Sequence, residues 1–298
     1  MPSSLIRSFL FVPGNAPHKM HKALATGADA LILDLEDAVA PADKPDARNQ
    51  VANFLARSAN ETGPELWVRI NPVSQSESLH DLAAIMQPAL AGIVVPKIDG
   101  PEDIAHLAWQ LDALEIHANL PPGSIKLMPV ATETAAAVFR LGEYRHVNAR
   151  LHGLTWGAED LAASLGASTN RTENGELALP YQLARALCLT GARAAGVVPV
   201  ETALMDFRDP DAVFRYASDA RRNGFFGMMA IHPAQIDPIN RAFTPSADER
   251  ASATSIVSAF AAAGNPGVLA MDGRMLDLVH LRQAQNILAL AAQFATAP

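Results

Sequence analysis

The amino-acid sequence predicts an α/β fold, a (β/α)8 TIM barrel followed by a C-terminal helical extension. Eight short apolar runs alternate with segments of helical spacing, and this alternation predicts βαβ units with right-handed crossovers. The chain has 298 residues, which exceeds the length of about 250 residues that such a barrel needs. Hydrophobic residues make up 49% of the chain and charged residues 18%, so there is enough apolar material for a large core.

The eight apolar runs lack strict polar alternation, as do strands of a parallel sheet that are buried on both faces. In chain order they are Ser8–Gly14, Ala30–Asp37, Leu66–Asn71, Gly92–Lys97, Ile125–Glu133, Leu151–Asp160, Val197–Ala203 and Gly227–Pro233. The predicted helices between them are Pro17–Ala25, Pro45–Ala59, Pro101–Leu114, Glu133–Leu141, Pro180–Ala194 and Asp211–Asn223. Eight units favour a closed barrel over an open sheet, and no glycine-rich nucleotide-binding motif supports the open sheet.

A tail of 65 residues follows the eighth run, and a barrel does not require it. Its predicted elements are a helix, a short strand and a last helix: Pro245–Ala263, Val268–Met271 and Leu276–Thr296. Ser246 and Glu249 have the spacing of a capping box at the first of these helices. We therefore predict a catalytic barrel over residues 1–243 and an extension over residues 244–298. The extension is expected to pack on a neighbouring subunit, or else on its own barrel.

Charge, hydropathy and cysteine content exclude several classes of function. The formal net charge is −8, which argues against the basic surface of a general nucleic-acid binder. No run of about 18 apolar residues could span a membrane, and the N-terminus lacks the apolar core of a secretory signal. A cytoplasmic protein is therefore expected. The single cysteine, Cys188, permits neither an internal disulfide nor a multi-cysteine zinc site.

Ionisable residues gather at the carboxyl ends of seven of the eight runs. Along the chain these are Asp34, Glu36, Asp37, Arg69, Lys97, Glu133, Glu159, Asp160, Glu201 and His232. In barrel enzymes the active site lies at this end of the strands. Buried charges are costly unless they are paired or bound to a metal, so the cluster indicates a functional site.

Glu133 and Asp160 are the candidate metal ligands, because they end adjacent runs and no cysteine or histidine cluster accompanies them. Two carboxylates with open positions suit Mg²⁺, which retains water and takes substrate oxygens. Structural roles stay open for three other residues. Lys97 could form an ion pair, His232 could cap a loop, and Glu201 could support a neighbour through hydrogen bonds.

Short motifs along nearly the whole chain resemble those of one known group of enzymes. They are Arg7–Gly14, Gly27–Val39, Lys44 with Ala47 and Arg48, Val68–Asn71, Val95–Lys97, Glu133 with Thr134, Gly157–Leu161, Ile231–Gln235 and Gly273–Asp277. Each motif is weak alone, but their order and spacing together are specific. The sequence resembles the citrate lyase β-subunit-like group within the HpcH/HpaI aldolase superfamily.

This resemblance implies a Mg²⁺-dependent barrel enzyme that cleaves or forms a carbon–carbon bond. The implied substrates are β-hydroxyacyl thioesters such as citryl-, malyl- or citramalyl-CoA. The products are a 2-oxo acid and an acetyl group, carried by CoA or by the phosphopantetheine arm of a carrier protein. The group's metal carboxylates fall on Glu133 and Asp160, and its carboxylate-binding arginine falls on Arg69. A homo-oligomer, either a trimer or a hexamer, is also implied.

Two further roles are implied by the malyl-CoA branch of the group. An acid/base aspartate that reaches the site across a subunit interface falls by position on Asp277. A lysine that contacts CoA falls on Lys22. As a structural alternative, Asp277 could simply open the last helix, because acidic residues favour helix N-termini.

The chain departs from the group's pattern at several positions. These departures bear on recognition of the thioester more than on binding of the metal or the oxo acid. They are Ala16, Met228, Glu201 and the MLDL segment around Asp277. Two other functions stay open. One is a metal-dependent pyruvate-class aldolase acting on a non-thioester hydroxy-oxo acid, which would need neither Lys22 nor Asp277. The other is a non-catalytic subunit that binds an oxo acid.

Overall fold

The computed structural model describes residues 6–60 and 62–295 of the chain. A first compact unit ends at Ile239 and a second begins at Asn240. The first unit confirms the predicted TIM barrel, because eight parallel strands form its sheet and helices lie between them. The strands are β1 (Ser8–Pro13), β2 (Ala30–Asp34), β3 (Glu65–Arg69), β4 (Leu90–Val95), β5 (Lys126–Pro129), β6 (Gly153–Leu154), β7 (Val198–Glu201) and β8 (Gly227–Ala230).

The sheet closes into a barrel between β5 and β6. The pairing order is β5-β4-β3-β2-β1-β8-β7-β6, so the strands follow one another around the barrel. Two parallel bridges join the remaining gap, Leu127 to Leu151 and Val130 to Thr155. A backbone hydrogen bond of 2.8 Å from Ala131 N–H to the carbonyl of Thr155 reinforces them. Closure pairs each barrel strand with two neighbours and brings the carboxyl ends of the strands to one rim.

The helices of the barrel begin where the sequence supplies proline or capping residues. They are α1 (Pro17–Ala23), α2 (Lys44–Arg57), α3 (Glu77–Ile85), α4 (Pro101–His117), α5 (Ala135–Phe139), α6 (Ala158–Leu165), α7 (Leu179–Ala195), α8 (Pro210–Asn223) and α9 (Ile236–Phe243). At α4, Pro101 precedes Glu102 and Asp103 in the first turn, which suits the helix dipole. The side chain of Asp209 caps α8. Among the described residues, no helix is long and apolar enough to cross a membrane.

The strands end earlier than the sequence predicted, because polar residues leave the sheet before the apolar pattern stops. Glu133 lies in the loop after β5 and does not end that strand. Asp160 lies in the first turn of α6, so the prediction that it ends a run of β structure was wrong. Helices α3, α6 and α9 were not predicted. Helix α6 begins at Ala158, inside the apolar run Leu151–Asp160 that was assigned to a strand.

Trp67 fills the interior of the barrel beneath the site. Its ring centroid lies 5.8 Å from that of Phe9 in an edge-on arrangement, and 5.3 Å from the ring of His152. Gly92, on the neighbouring strand β4, leaves the room that the indole ring occupies. Aromatic pairs of this kind add to the free energy of burial, so these rings support the barrel from within.

The second unit has its own hydrogen-bonded framework. Helix α10 (Ala247–Ala262) begins with the predicted capping box, in which Ser246 and Glu249 exchange hydrogen bonds. Strands β9 (Val268–Met271) and β10 (Arg274–Asp277) form an antiparallel hairpin, and helix α11 (Leu278–Ala295) follows. Strand β9 was predicted and β10 was not. The predicted end of the last helix, Thr296, lies outside the described residues.

The β9–β10 turn explains why the hairpin forms. Asp272 and Gly273 both have positive φ, at 49° and 73°, as a two-residue type I′ turn requires. The Asp-Gly pair was recognised in the sequence as a turn, but β10 was not predicted because the residues from Leu276 onwards were assigned to the last helix. The predicted division of the chain at residue 243, and the packing of the extension on a neighbouring subunit, stay predictions.

We predict that Gly92→Ala destabilises the barrel, because a methyl group at residue 92 would overlap the indole ring of Trp67. Overpacking of this kind costs about 1–3 kcal/mol in the free energy of unfolding. Gly142→Ala is the matched control, since a methyl group there meets nothing within 4 Å. Urea unfolding followed by tryptophan fluorescence would compare the midpoints. Equal midpoints for the two variants would contradict the assigned packing around Trp67.

Candidate active site

A forked ion pair joins the last residues of two neighbouring strands. Arg69 ends β3 and Asp34 ends β2, and the two are direct partners in the sheet. The Nε and Nη2 groups of Arg69 donate to the two carboxylate oxygens of Asp34 at 2.8 and 2.6 Å. The guanidinium also lies 4.8 Å from the ring centroid of Phe11. Bidentate pairs fix orientation as well as charge, so Arg69 has a defined direction at the rim.

Asp34 also shapes the acidic loop that follows β2. Its oxygens accept hydrogen bonds from Glu36 N–H at 3.0 Å and from Ala38 N–H at 3.2 Å. The loop is thereby turned so that Glu36 points back to the arginine, with Oε2 of Glu36 3.0 Å from Nη1 of Arg69. Glu36 is buried, and this burial raises its pKa despite the nearby charges of Arg69 and Lys97.

The charges around Arg69 favour its ionised form. Burial alone would lower its pKa, but the hydrogen bonds and charge of Asp34 raise it, and the charges of Glu36 and Glu133 raise it further. The guanidinium is therefore a permanent cation at the rim. Asp34 occupies its Nε and Nη2 edge, and Glu36 lies beside its Nη1 end.

Lys97 lies in the loop after β4 and contacts four carboxylates. Its backbone N–H donates to Glu133, and its ammonium group bonds to Glu36. The same Nζ atom lies 2.8 Å from Asp37 and 3.5 Å from Asp160. Burial alone would lower the pKa of Lys97, but the hydrogen bonds to Asp37 and Glu36 and the charges of Glu36 and Asp160 raise it.

Glu133 is buried close to the backbone of the next loop. A methyl group at Gly157 would lie 3.1 Å from Cγ and 3.4 Å from Oε1 of Glu133, so the glycine lets the carboxylate pass. Burial, together with the negative charges of Asp160 and Glu36, raises the pKa of Glu133 to about 8, although the hydrogen bond from Lys97 N–H and the charge of Lys97 lower it. The carboxyl group thus lies in a place where a cation would stabilise its ionised form.

The donor set fits one magnesium ion. In residues 6–60 and 62–295, no group of three or more His, Cys, Asp and Glu side chains is arranged to hold a metal. Mg²⁺ is commonly bound through one or two carboxylates, with water and substrate oxygens completing six ligands. Glu133 and Asp160 supply two such hard oxygen donors at the rim. The raised pKa of Glu133 reflects first its burial and then the negative charges of Asp160 and Glu36.

The two other predicted site residues have the following local surroundings. Lys22 is exposed in the last turn of α1, and its side chain makes no hydrogen bond or ion pair in the described structure. Asp277 belongs to the second unit, where its carboxylate accepts hydrogen bonds from Val279 N–H at 2.9 Å and from His280 N–H at 3.2 Å. These bonds are those of a helix cap for α11.

Asp277 also pairs with a histidine ring. Nδ1 of His280 lies 2.7 Å from its carboxylate. The hydrogen bonds from the His280 side chain and backbone lower the pKa of Asp277. The carboxylate form is therefore favoured, which suits a base more than an acid.

A buried network behind the acidic loop was not predicted from the sequence. Asn71 donates to Asp81 at 2.7 Å and to the Leu35 carbonyl at 3.0 Å, and Lys44 bonds to the Asn71 side chain. Arg48 donates to Asp81 at 2.6 Å. Lys44, Arg48 and Asn71 were present in the motifs, but Asp81 lies in the unpredicted helix α3. The network anchors the loop that carries Glu36.

Glu201 and His232 adopt the structural arrangements that the sequence left open. Glu201 is fully buried and accepts hydrogen bonds from Trp156 Nε1 at 2.6 Å and Arg185 Nε at 2.7 Å. Its burial raises its pKa. His232 accepts from Ala234 N–H through Nδ1, which caps the loop after β8. Both residues hold neighbouring segments of the rim in place.

Comparison with known proteins shows which proteins this chain is similar to. Residues 7–233 match the HpcH/HpaI aldolase/citrate lyase family. The chain belongs to this family. It is 32% identical to the mitochondrial citramalyl-CoA lyase of Rattus norvegicus over 304 residues, covering 96% of this chain and 86% of the relative. It is 30% identical to the L-malyl-CoA/β-methylmalyl-CoA lyase of Rhodobacter capsulatus, covering 97% and 96% of the two chains.

A solved structure shares both the sequence and the fold. The protein CitE from Mycobacterium tuberculosis, in complex with magnesium, acetoacetate and coenzyme A, is 30% identical. It superposes with a TM-score of 0.80 over 97% of this chain and 98% of the other. The relatives named here include lyases of CoA thioesters, which confirms the resemblance and the class of enzyme predicted from the sequence.

We predict that Glu133→Gln changes how stability depends on pH in protein freed of divalent ions with EDTA. The folded pKa of about 8 lies above the ordinary 4.5, so between these values the folded chain holds a proton that the unfolded chain has released. Rising pH therefore lowers the free energy of unfolding, and this loss is complete only above pH 8. Glutamine cannot lose that proton.

The stability of Glu133→Gln relative to wild type should therefore increase from pH 5 to pH 9. Urea unfolding at each pH measures it, and Glu36 contributes to both proteins alike. Parallel stability curves for the two proteins would contradict the raised pKa of Glu133.

Proposed function

We propose that this chain is a Mg²⁺-dependent lyase that cleaves or forms a β-hydroxyacyl thioester of the citramalyl-, malyl- or citryl-CoA type. The products of cleavage are a 2-oxo acid and acetyl-CoA, or an acetyl group on a carrier protein's phosphopantetheine arm. One observation carries the proposal: the charges of Arg69 and Glu133 interact at the carboxyl rim, and the charge of Asp160 acts on the same Glu133. A pair of hard donors beside a guanidinium suits a carboxylate with an adjacent oxygen.

Glu133 and Asp160 are the proposed ligands of the ion. When bound, Mg²⁺ supplies a Lewis acid that polarises substrate oxygens and offsets developing negative charge. Arg69 binds the substrate carboxylate through its Nη1 end, where the carboxylate competes with Glu36 for the same donor. Asp34 keeps the guanidinium from turning away, because it holds the opposite edge at two points.

Cleavage follows a retro-Claisen course. The substrate hydroxyl loses its proton while the bond between the α and β carbons breaks, and the electron pair passes to the acetyl fragment as an enolate. The enolate carbon must then take a proton. We propose Asp277 as the group that exchanges it. The hydrogen bonds from His280 keep Asp277 in the carboxylate form, which would remove the proton in the condensation direction.

We further propose that Asp277 acts on a neighbouring subunit in a trimer or hexamer, and that Lys22 contacts the CoA moiety. Lys22 is an exposed cation whose side chain has no recorded partner, so it is free to meet a phosphate. Asp277 belongs to a unit that is compact without the barrel, as a segment contributed across an interface would be.

We predict Mg²⁺-dependent cleavage within a panel of citramalyl-, malyl- and citryl-CoA, followed by mass spectrometry of the products. Glu133→Gln and Asp160→Asn should each lower kcat/KM by more than the roughly 10- to 100-fold that outer-shell changes cost. Activity that survives EDTA undiminished would contradict the metal role. Turnover of only a non-thioester hydroxy-oxo acid would instead indicate a pyruvate-class aldolase, and oxo-acid binding with no turnover would indicate a non-catalytic subunit.

The variant Asp277→Asn distinguishes the helix-capping role of Asp277 from its proposed role in proton transfer. Asparagine caps helices as well as aspartate, so we expect the fold to be kept while kcat falls by about 10²- to 10⁴-fold. Asp272→Asn, in the neighbouring turn, is the control and should keep full activity, since asparagine tolerates positive φ. Mixing Asp277→Asn with Glu133→Gln should restore part of the activity if the aspartate acts between subunits. Full activity of Asp277→Asn alone would remove it from the mechanism.

A further inference from the structure

Lys97 is joined to both proposed metal carboxylates. Its backbone N–H donates to Glu133, and its ammonium nitrogen lies 3.5 Å from Oδ1 of Asp160. The ammonium group is also held by Glu36 and Asp37, so its position is fixed from three sides. A unit positive charge is thus placed within contact distance of a carboxylate that the proposed function gives to Mg²⁺.

The backbone of Lys97 is strained in a way that this arrangement explains. Its φ is 50°, in the left-handed region that non-glycine residues rarely adopt. Such a conformation is energetically unfavourable and persists where the surrounding structure fixes it. Here it directs the N–H group to Glu133 while the side chain reaches the acidic loop. A residue that served only as a surface ion pair would not need this backbone.

The charge of Lys97 acts on the same oxygens that a metal would use. A cation at Asp160 would share that carboxylate with the ammonium group, and the two positive charges would repel each other at a few ångströms. Coulomb interactions at such distances are worth several times the thermal energy, even at the effective dielectric constant of a protein surface. Removal of the ammonium group also leaves Glu36 and Asp37 less neutralised, which adds to the attraction for a divalent ion.

We infer that Lys97 sets the affinity of the metal site, because its ammonium group competes with the divalent ion for Asp160. The inference rests on the proposed metal ligands and adds a residue that keeps binding weaker than two carboxylates alone would make it. The opposite expectation follows if Lys97 merely organises the carboxylates. Its removal would then loosen the site and weaken metal binding, so the sign of the change decides between the two roles.

The test measures Mn²⁺ binding to EDTA-treated, desalted full-length protein, with the electron paramagnetic resonance signal of free Mn²⁺ as the readout. Lys97→Met should bind Mn²⁺ about tenfold more tightly than wild type, as expected for a change of about 1.4 kcal/mol. Lys97→Arg keeps the charge and should stay within about twofold. Lys97→Gly accepts a φ of 50° without strain and retains the N–H, so it should also tighten binding.

Lys126→Met is the matched control for loss of one positive charge. Lys126 begins β5 and pairs with Glu65 at 3.2 Å, at the end of the barrel opposite the rim. Salt screens charges over a distance of about 10 Å, so the Mn²⁺ affinity of Lys126→Met should equal that of wild type. Thermal unfolding checks that each variant is folded, and Lys97→Gly decides the question if Lys97→Met does not fold.

Asp160→Asn separates failure of this inference from failure of the proposed function. Wild-type affinity in Asp160→Asn would show that the metal ligands are wrongly assigned. Weakened binding in Asp160→Asn, with unchanged or weaker binding in Lys97→Met and Lys97→Gly, would overturn the role of Lys97 alone. If Lys126→Met also bound Mn²⁺ more tightly, the tighter binding of the Lys97 variants would be a consequence of net charge alone. That result would likewise overturn the proposed role of Lys97.

Discussion

The fork between Arg69 and Asp34 is the interaction on which the rest of the site depends. It links the last residues of two strands that already pair in the sheet, so the barrel itself sets its geometry. The same carboxylate of Asp34 turns the next loop by accepting two backbone hydrogen bonds. Glu36 is thereby brought to both Arg69 and Lys97. Without the fork, the acidic loop would lose its anchor and the guanidinium its direction.

Charge balance at the rim explains why this arrangement favours a divalent ion. The carboxylates that surround Arg69 and Lys97 are Asp34, Glu36, Asp37, Glu133 and Asp160. Two side-chain cations cannot neutralise all of them. Burial, together with the charges of Asp160 and Glu36, raises the pKa of Glu133 to about 8. A divalent ion at Glu133 and Asp160 would restore the ionised form at neutral pH. The excess of negative charge is thus the physical basis of the proposed site.

Much of the fold could be predicted because strand burial and helix starts are encoded locally. The apolar runs located all eight barrel strands, and Ser246 with Glu249 located α10. Asp160 was placed wrongly, because an apolar run that passes from strand through loop to a short helix has no internal boundary. An ion pair of Lys97 with a carboxylate was one alternative open from the sequence, but its partners could not be predicted, since they depend on a φ of 50° and on loops far apart in the chain. The Asp81 network was missed because helix α3, which carries Asp81, was not predicted.

The same neighbours that close the barrel also hold Glu133. Its loop receives the N–H of Lys97 from the β4 side, and Gly157 from the β6 side leaves room for its carboxylate. Thr132 accepts a hydrogen bond of 3.1 Å from Gly157 N–H, and Trp156 is anchored to the buried Glu201 beyond it. A displacement of β6 would therefore move Glu133 as well as Asp160. The two proposed ligands are positioned together, as a shared ion requires, because the strands that precede them, β5 and β6, are joined where the barrel closes.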